Sequence, residues 1–198
     1  MAIRKVARMG HPVLREKARE LSKEEILSDW FENLLGDMIE TMEEYGGIGL
    51  AAPQVHEAVS VAIIDYQDDH PRYAEQTSTS GELHSLALSV FVNAKITVLD
   101  PTEQGFWEGC LSVPEIRGLV YRPRKIRVDY LDIEGEAQSL IAEGFLATVF
   151  QHELDHLDGT LFLDRVRFSP GKSPISFMAE YSKYHVPEED SEIGELKE

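Results

Sequence analysis

The clearest periodic stretch lies between Ile26 and Met42, where Ile26, Leu27, Trp30, Phe31, Leu34, Leu35, Met38, Ile39 and Met42 recur at steps of three and four residues. That spacing puts them on one face of a long helix, whose apolar side is core and not a cofactor box. Ser22-Lys23-Glu24-Glu25 has capping-box spacing at its start, and Gly46-Gly47 stops it. The period then shortens. β-rich runs predict strands over 59–65, 87–93, 96–99, 126–132 and 139–142. A second helix is predicted over 144–158, closed by Gly159. Between the first strands, residues 67–85 are polar and aperiodic. They read as a surface insertion, with His70 and His84 exposed. Strands flanked by helices give an α+β class: a mostly antiparallel sheet packed around a central helix, with a long N-terminal helix.

Composition narrows the class without naming a function. The 198 residues suit one domain, expected over 1–185 and followed by an acidic, flexible tail over 186–198. A formal net charge of −17 argues against a general basic face for nucleic acid. No apolar run is long enough to span a bilayer, and the first ten residues are basic without an apolar segment. A cytoplasmic location is the expectation. The one cysteine, Cys110, allows no intramolecular disulfide. It reads first as a small buried hydrophobe, and otherwise as a nucleophile or ligand.

Candidate chemistry starts on the second helix, in His152-Glu153-Leu154-Asp155-His156. Residues four apart share a helical face, so both imidazoles can reach one metal ion. Glu153, beside the first, is close enough to take a proton from a coordinated water. A mononuclear hydrolytic site needs a third protein ligand and an open position. Downstream of His156 the sole histidine is His185, near the acidic tail in no ligand-like setting. Upstream lies Cys110, with Gly109 before it and Pro114 beyond. A Cys-His-His set would be a hydrolytic centre whose thiolate suits zinc or ferrous iron better than magnesium or calcium. The glycines and small residues of 47–54 let the backbone approach an extended ligand. No Gly-Lys-Ser/Thr ending follows them, which disfavours a phosphate loop. Gln54 alone would be read as a surface amide.

Taken in order, G-I-G-L-A-A-P-Q (47–54), E-G-C-L-S (108–112) and Q-H-E-L-D-H-L-D-G (151–159) resemble the three signature motifs of peptide deformylases. The likeness extends from about Gly10 to Asp164. It implies a metal-dependent hydrolase that takes the formyl group off the N-terminal formylmethionine of new polypeptides and releases formate. By resemblance, Cys110, His152 and His156 bind one divalent ion, commonly ferrous iron, with zinc, nickel or cobalt accepted. Glu153 moves the proton, while the Gln54 side-chain amide and the Leu111 backbone N–H meet the oxyanion. Ile48, Phe106, Phe145, Thr148 and Val149 match a pocket for the methionine side chain, with Thr148 making one wall more polar. The peptide pairs as an added strand along Gly49 and near Gly109, with Arg117 helping to hold it. Glu108 and Arg122 match a buried charge pair that supports the site.

The partners this resemblance implies are formylmethionyl peptides and a transient contact with the ribosome. It implies no membrane and no sequence-specific nucleic acid, and a bacterial cytoplasm as the location. Two departures stand out: the 67–85 insertion is longer than in compact relatives, and the C-terminal region lacks the basic helix by which some relatives dock on ribosomes. A different H-E-x-x-H peptidase is the competing enzyme reading, disfavoured by the missing downstream ligand. A non-enzymatic structural metal site would need a fourth protein ligand, and it leaves Glu153 and Gln54 without a purpose.

Overall fold

The computed structural model describes residues 2–66, 86–168 and 173–179. The 67–85 insertion with His70 and His84, together with His185 and the 186–198 tail, lies outside the described residues.

Ser22 opens a short helix, α1 (Lys23–Ile26), through a reciprocal capping box with Glu25. The helix then breaks, and Ser28 caps a second one, α2 (Asp29–Glu44), by accepting the Phe31 N–H. The one long helix expected from periodicity is therefore two. A second N-cap resets the helical phase, which turns Leu27 and Trp30 outward to 60% and 38% exposure, so neither belongs to the core. Phe31, Leu34, Met38 and Met42 remain the buried face.

One antiparallel sheet contains β1 (Gly49–Ala51), β2 (Val61–Tyr66), β3 (Leu86–Cys110), β4 (Val113–Leu131), β5 (Ala137–Glu143) and β6 (Ile175–Phe177). The first five lie side by side in chain order, and β6 pairs with β4 across Ile116, Arg117 and Gly118. The strands expected at 87–93 and 96–99 are both parts of β3. Asn93 sits between them at φ 51°, and its side chain bonds the backbone N–H and C=O of Leu21 at 2.9 and 2.8 Å. Pairing with β4 slips there and again around Pro101, which has no N–H to offer a ladder. Such bulges interrupt the two-residue alternation, so 100–110 and 113–125 carry no clean strand signal.

Strand β2 is buried on both faces. Val61 and Ile63 join the α2 side, while Ala62, Ile64 and Tyr66 face Phe91, Ile126, Val128 and the helix α3 (Gly144–Leu157). Every residue of α3 is buried. A last short helix, α4 (Phe162–Arg165), packs Phe162 among Val113, Val120 and Leu161. Among the described residues no helix is long and apolar enough to cross a membrane.

Candidate metal centre

The C-terminal half of α3 presents His152, Glu153, Asp155 and His156 to the end of β3, where Glu108 and Cys110 stand. Cys110 Sγ and His156 Nε2 are 3.3 Å apart. Ligand atoms of Cys110, His152 and His156 all fall within 4.8 Å of one another. Sulfur and nitrogen ligands of one tetrahedral ion stand about 3.6 Å apart, so the donor set fits a single cation. His152 Nδ1 bonds Glu108 Oε2 at 2.8 Å, which leaves Nε2 to face the thiol. Phe162 stacks on the same ring at 6.0 Å. His156 Nδ1, in contrast, is buried without a hydrogen-bond partner.

Charge around the triad points the same way. Burial opposes ionisation of Cys110, but the neighbouring imidazoles of His156 and His152 outweigh it and hold the thiol well below its usual range. Burial also opposes charge on His152, yet Cys110 and Glu108 raise it well above its ordinary value. Both shifts express one demand, a buried thiolate seeking a positive partner. Glu108 is buried too, and its bonds to His152 and Arg122 overcome that burial and bring it down to about 2. Arg122 Nε and Nη2 reach its two oxygens at 2.6 and 3.0 Å, while Arg122 Nη1 bonds Asp155 Oδ2 at 2.8 Å.

Glu153 has no such escort. Burial pushes its carboxyl up, and its Oε2 is buried without a partner. Gly49 lies directly against it, where an added Cβ would come within 2.8 Å of the Glu153 Cδ. Gly109 is likewise covered by the Arg117 guanidinium, whose Cζ would be 2.6 Å from a Cβ there. Arg117 itself is half-buried, and its Nε is buried with no hydrogen-bond partner.

Gln54 is 1% exposed, not the surface amide that the residue alone suggests. Its Oε1 accepts the Ala51 N–H at 2.8 Å, which turns Nε2 toward Ser112 Oγ at 3.2 Å and Cys110 Sγ at 3.5 Å. Beside it runs the N-terminal segment. Ala7 N–H donates to the Gln54 carbonyl and Met9 N–H to the Ser112 carbonyl, both at 2.8 Å, and the Arg8 guanidinium bonds the Leu111 carbonyl. Residues 7–9 thus strap the Gln54 turn to the Cys110 loop. Nearer the N-terminus of α3, on the face that carries His152 and His156, Phe145 meets Phe106 edge-on at 5.2 Å, and Ile48 and Val149 join the same cluster. The Thr148 hydroxyl takes a bond from Gln104 Nε2 at 3.4 Å.

Sequence reasoning left Arg8, Ser112, Asp155 and Arg165 without roles. Asp155 stands three residues after His152, and that spacing was a usable signal because such residues share a helical flank. Arg8 and Arg165 carried no signal, because their contacts depend on chain reversals outside the motifs.

The family model described as polypeptide deformylase matches residues 3–170. The chain belongs to the polypeptide deformylase family. A peptide deformylase of Leptospira biflexa is 41% identical over 167 residues, spanning 84% of this chain and 89% of that protein. Among solved structures, the class I type b peptide deformylase of Acinetobacter baumannii with Met-Ala-Ser bound superposes at a TM-score of 0.76. It is 36% identical and covers 83% of this chain and 99% of its own. The peptide deformylase of Thermotoga maritima superposes at 0.72 with 33% identity, over 85% of this chain and 100% of its own. As a polypeptide deformylase family member the chain is a metal-binding hydrolase that removes the N-formyl group from new polypeptides.

Proposed function

We propose that Cys110, His152 and His156 hold the single divalent ion, ferrous iron in the cell, with zinc, nickel or cobalt able to replace it. We infer further that Glu153 carries the proton of the hydrolysis. The observation that carries this reading is the 3.3 Å approach of Cys110 Sγ to His156 Nε2, beside a buried and partnerless Glu153 oxygen. Bound there, such an ion supplies Lewis acidity, which lowers a water's pKa toward about 7. Glu153 accepts the proton of the attacking water and returns it to the departing amine nitrogen, for which a carboxyl raised by burial is suited. Oxygen joins the formyl carbon, the C–N bond breaks, and formate leaves a peptide with a free amino terminus.

The negative oxygen that develops on the formyl carbon meets the Gln54 amide and the Leu111 N–H. In support, Gln54 Nε2 is aimed at the thiol by the bond that fixes its Oε1. Removing one such donor costs about 3–4 kcal/mol of transition-state stabilisation. Ile48, Phe106, Phe145, Thr148 and Val149 receive the methionine side chain. The peptide backbone pairs with β1 at Gly49, because β1 ends the strand order and bonds only β2 among the described strands. Arg117, lying over Gly109, holds the peptide from the other side. The Acinetobacter relative's Met-Ala-Ser complex supports a methionine-first peptide as ligand. Residues 1–185 serve as one catalytic domain, and the enzyme works in the cytoplasm.

The test is formate release from formyl-Met-Ala-Ser by protein purified without oxygen, with metal analysis, beside Cys110→Ala. We expect one ion per chain and release by the wild type, and loss of both in the variant. A fully metallated wild type that releases no formate overturns the reaction, and a variant that keeps its ion overturns the ligand assignment.

A further inference from the structure

The charged network behind His152 does not stop at Arg122. Asp155, which bonds Arg122 through Oδ2, is also gripped across both oxygens by Arg165. Its Nε stands 2.6 Å from Oδ2 and its Nη2 2.5 Å from Oδ1. Charges therefore alternate without a gap: Arg165, Asp155, Arg122, Glu108, and then the imidazole of His152 at 2.8 Å. The Arg122 and Glu108 side chains are 3% and 4% exposed, whereas Arg165 is 47% exposed, so the series runs from solvent to the innermost ring.

We propose that Arg165 is a positioning residue for the metal centre, acting through Asp155, Arg122 and Glu108 to hold His152 and slow release of the ion. The inference rests on Cys110, His152 and His156 being the ligands. Its physical basis is competition for one guanidinium. Arg122 faces two carboxylates, and it can keep the two-point grip on Glu108 only while Asp155 needs no more than one of its N–H groups. Arg165 meets the rest of that need by occupying the Asp155 oxygens. Without it, a carboxylate in a largely dry setting has one cationic partner left, and Arg122 is drawn toward Asp155. Glu108 then loses a fixed partner, and His152 loses the bond that sets its ring orientation and tautomer. Partners of that second kind typically change metal affinity about 10- to 100-fold. Three links farther out, about a three- to tenfold change is expected.

A plainer role would be to staple α4 to the end of α3. That role predicts a change in thermal stability with no change in metal release, so release is the deciding readout. Wild type, Arg165→Gln, Arg165→Lys, Glu108→Gln and the Arg165→Gln/Glu108→Gln double variant would each be loaded with cobalt. Transfer of cobalt to excess chelator would be followed without substrate, alongside melting curves.

We expect Arg165→Gln to release cobalt about three- to tenfold faster than wild type, and Arg165→Lys to fall between them. With the path cut at Glu108, the same substitution should add little, which is the non-additivity of one connected network. Release from Arg165→Gln at the wild-type rate overturns the proposal. So does an equal acceleration in both backgrounds. A wild type that takes up no stoichiometric cobalt overturns the ligand reading, and this inference with it.

Discussion

Strand β2 separates two interiors built from different materials. On its α2 side, Val61 and Ile63 meet Phe31, Leu34, Met38 and Met42, and the buried hydroxyl of Thr41 is satisfied by the Asp37 carbonyl and the Arg4 N–H. On its α3 side the core starts equally apolar, with Phe91 against Phe150 at 4.8 Å, and turns charged within one helical turn at His152, Glu153, Asp155 and His156. The first interior gains stability with every methylene it hides. The second sets desolvated charges against one another for little net stability, and what it gains is geometry. Trimming the first should lower stability and leave chemistry intact, while neutralising the second should cost chemistry, and stability only where a paired carboxylate such as Glu108 leaves its partner stranded.

The largest effect tests the charged side. Glu153→Gln is expected to lower kcat/KM by about 10²- to 10⁴-fold, the usual contribution of a positioned proton carrier. Because it removes a buried carboxylate with a partnerless oxygen, the melting temperature should hold or rise and the metal content stay unchanged. A variant within tenfold of wild type would show that another group moves the proton. The mirror experiment is Met38→Ala, in the centre of the apolar interior. It should cost about 2–5 kcal/mol of stability, read by denaturant titration, with kcat per folded molecule unchanged.

Acid should separate the two interiors as well. The Glu108 carboxyl sits at about 2 in the folded protein against an ordinary 4.5. A depressed carboxyl contributes stability that is complete above about pH 4.5 and is lost as the pH falls toward about 2, in all roughly 3 kcal/mol. Stability curves of wild type and Glu108→Gln should therefore converge through that window as acid is added. Parallel curves would mean that Glu108 is not ionised at neutral pH. Glu153 shifts the opposite way, so the acidic limb of the pH–rate profile should lie above the usual glutamate range.

What the sequence disclosed follows the same division. The apolar interior was legible because helical periodicity reports it directly, and it failed only at Leu27 and Trp30, where the Ser28 cap restarts the phase. Strands β3 and β4 were half visible, because bulges near Asn93 and Pro101 erase alternation over much of their length. The site was legible as motif text, through residues whose spacing along one helix or loop brings them together. Arg8 and Arg165 act through contacts that tertiary packing creates, and a one-dimensional pattern carries little trace of those, whereas the spacing of Asp155 from His152 was readable. The buried state of Gln54 was equally invisible, since only the Ala51 N–H and Ser112 hydroxyl show which way its amide points.

The smallest expected effect concerns the strap that joins the two sides of the reaction centre. Arg8 bonds the Leu111 carbonyl, and its guanidinium lies 5.8 Å from the Tyr45 ring centroid at the end of α2. Backbone bonds from Ala7 and Met9 hold the Gln54 turn and the Ser112 loop whatever stands at position 8, so the strap should survive its loss. Arg8→Ala is therefore expected to lower kcat about three- to tenfold, near the 1 kcal/mol of one exposed hydrogen bond, with KM and metal content close to wild type. Arg8→Lys should recover part of the loss, since a lysine ammonium can still donate to the carbonyl. A change in KM alone would place Arg8 in peptide binding, and a loss of metal would mean that the strap supports Cys110 more than the oxyanion donors.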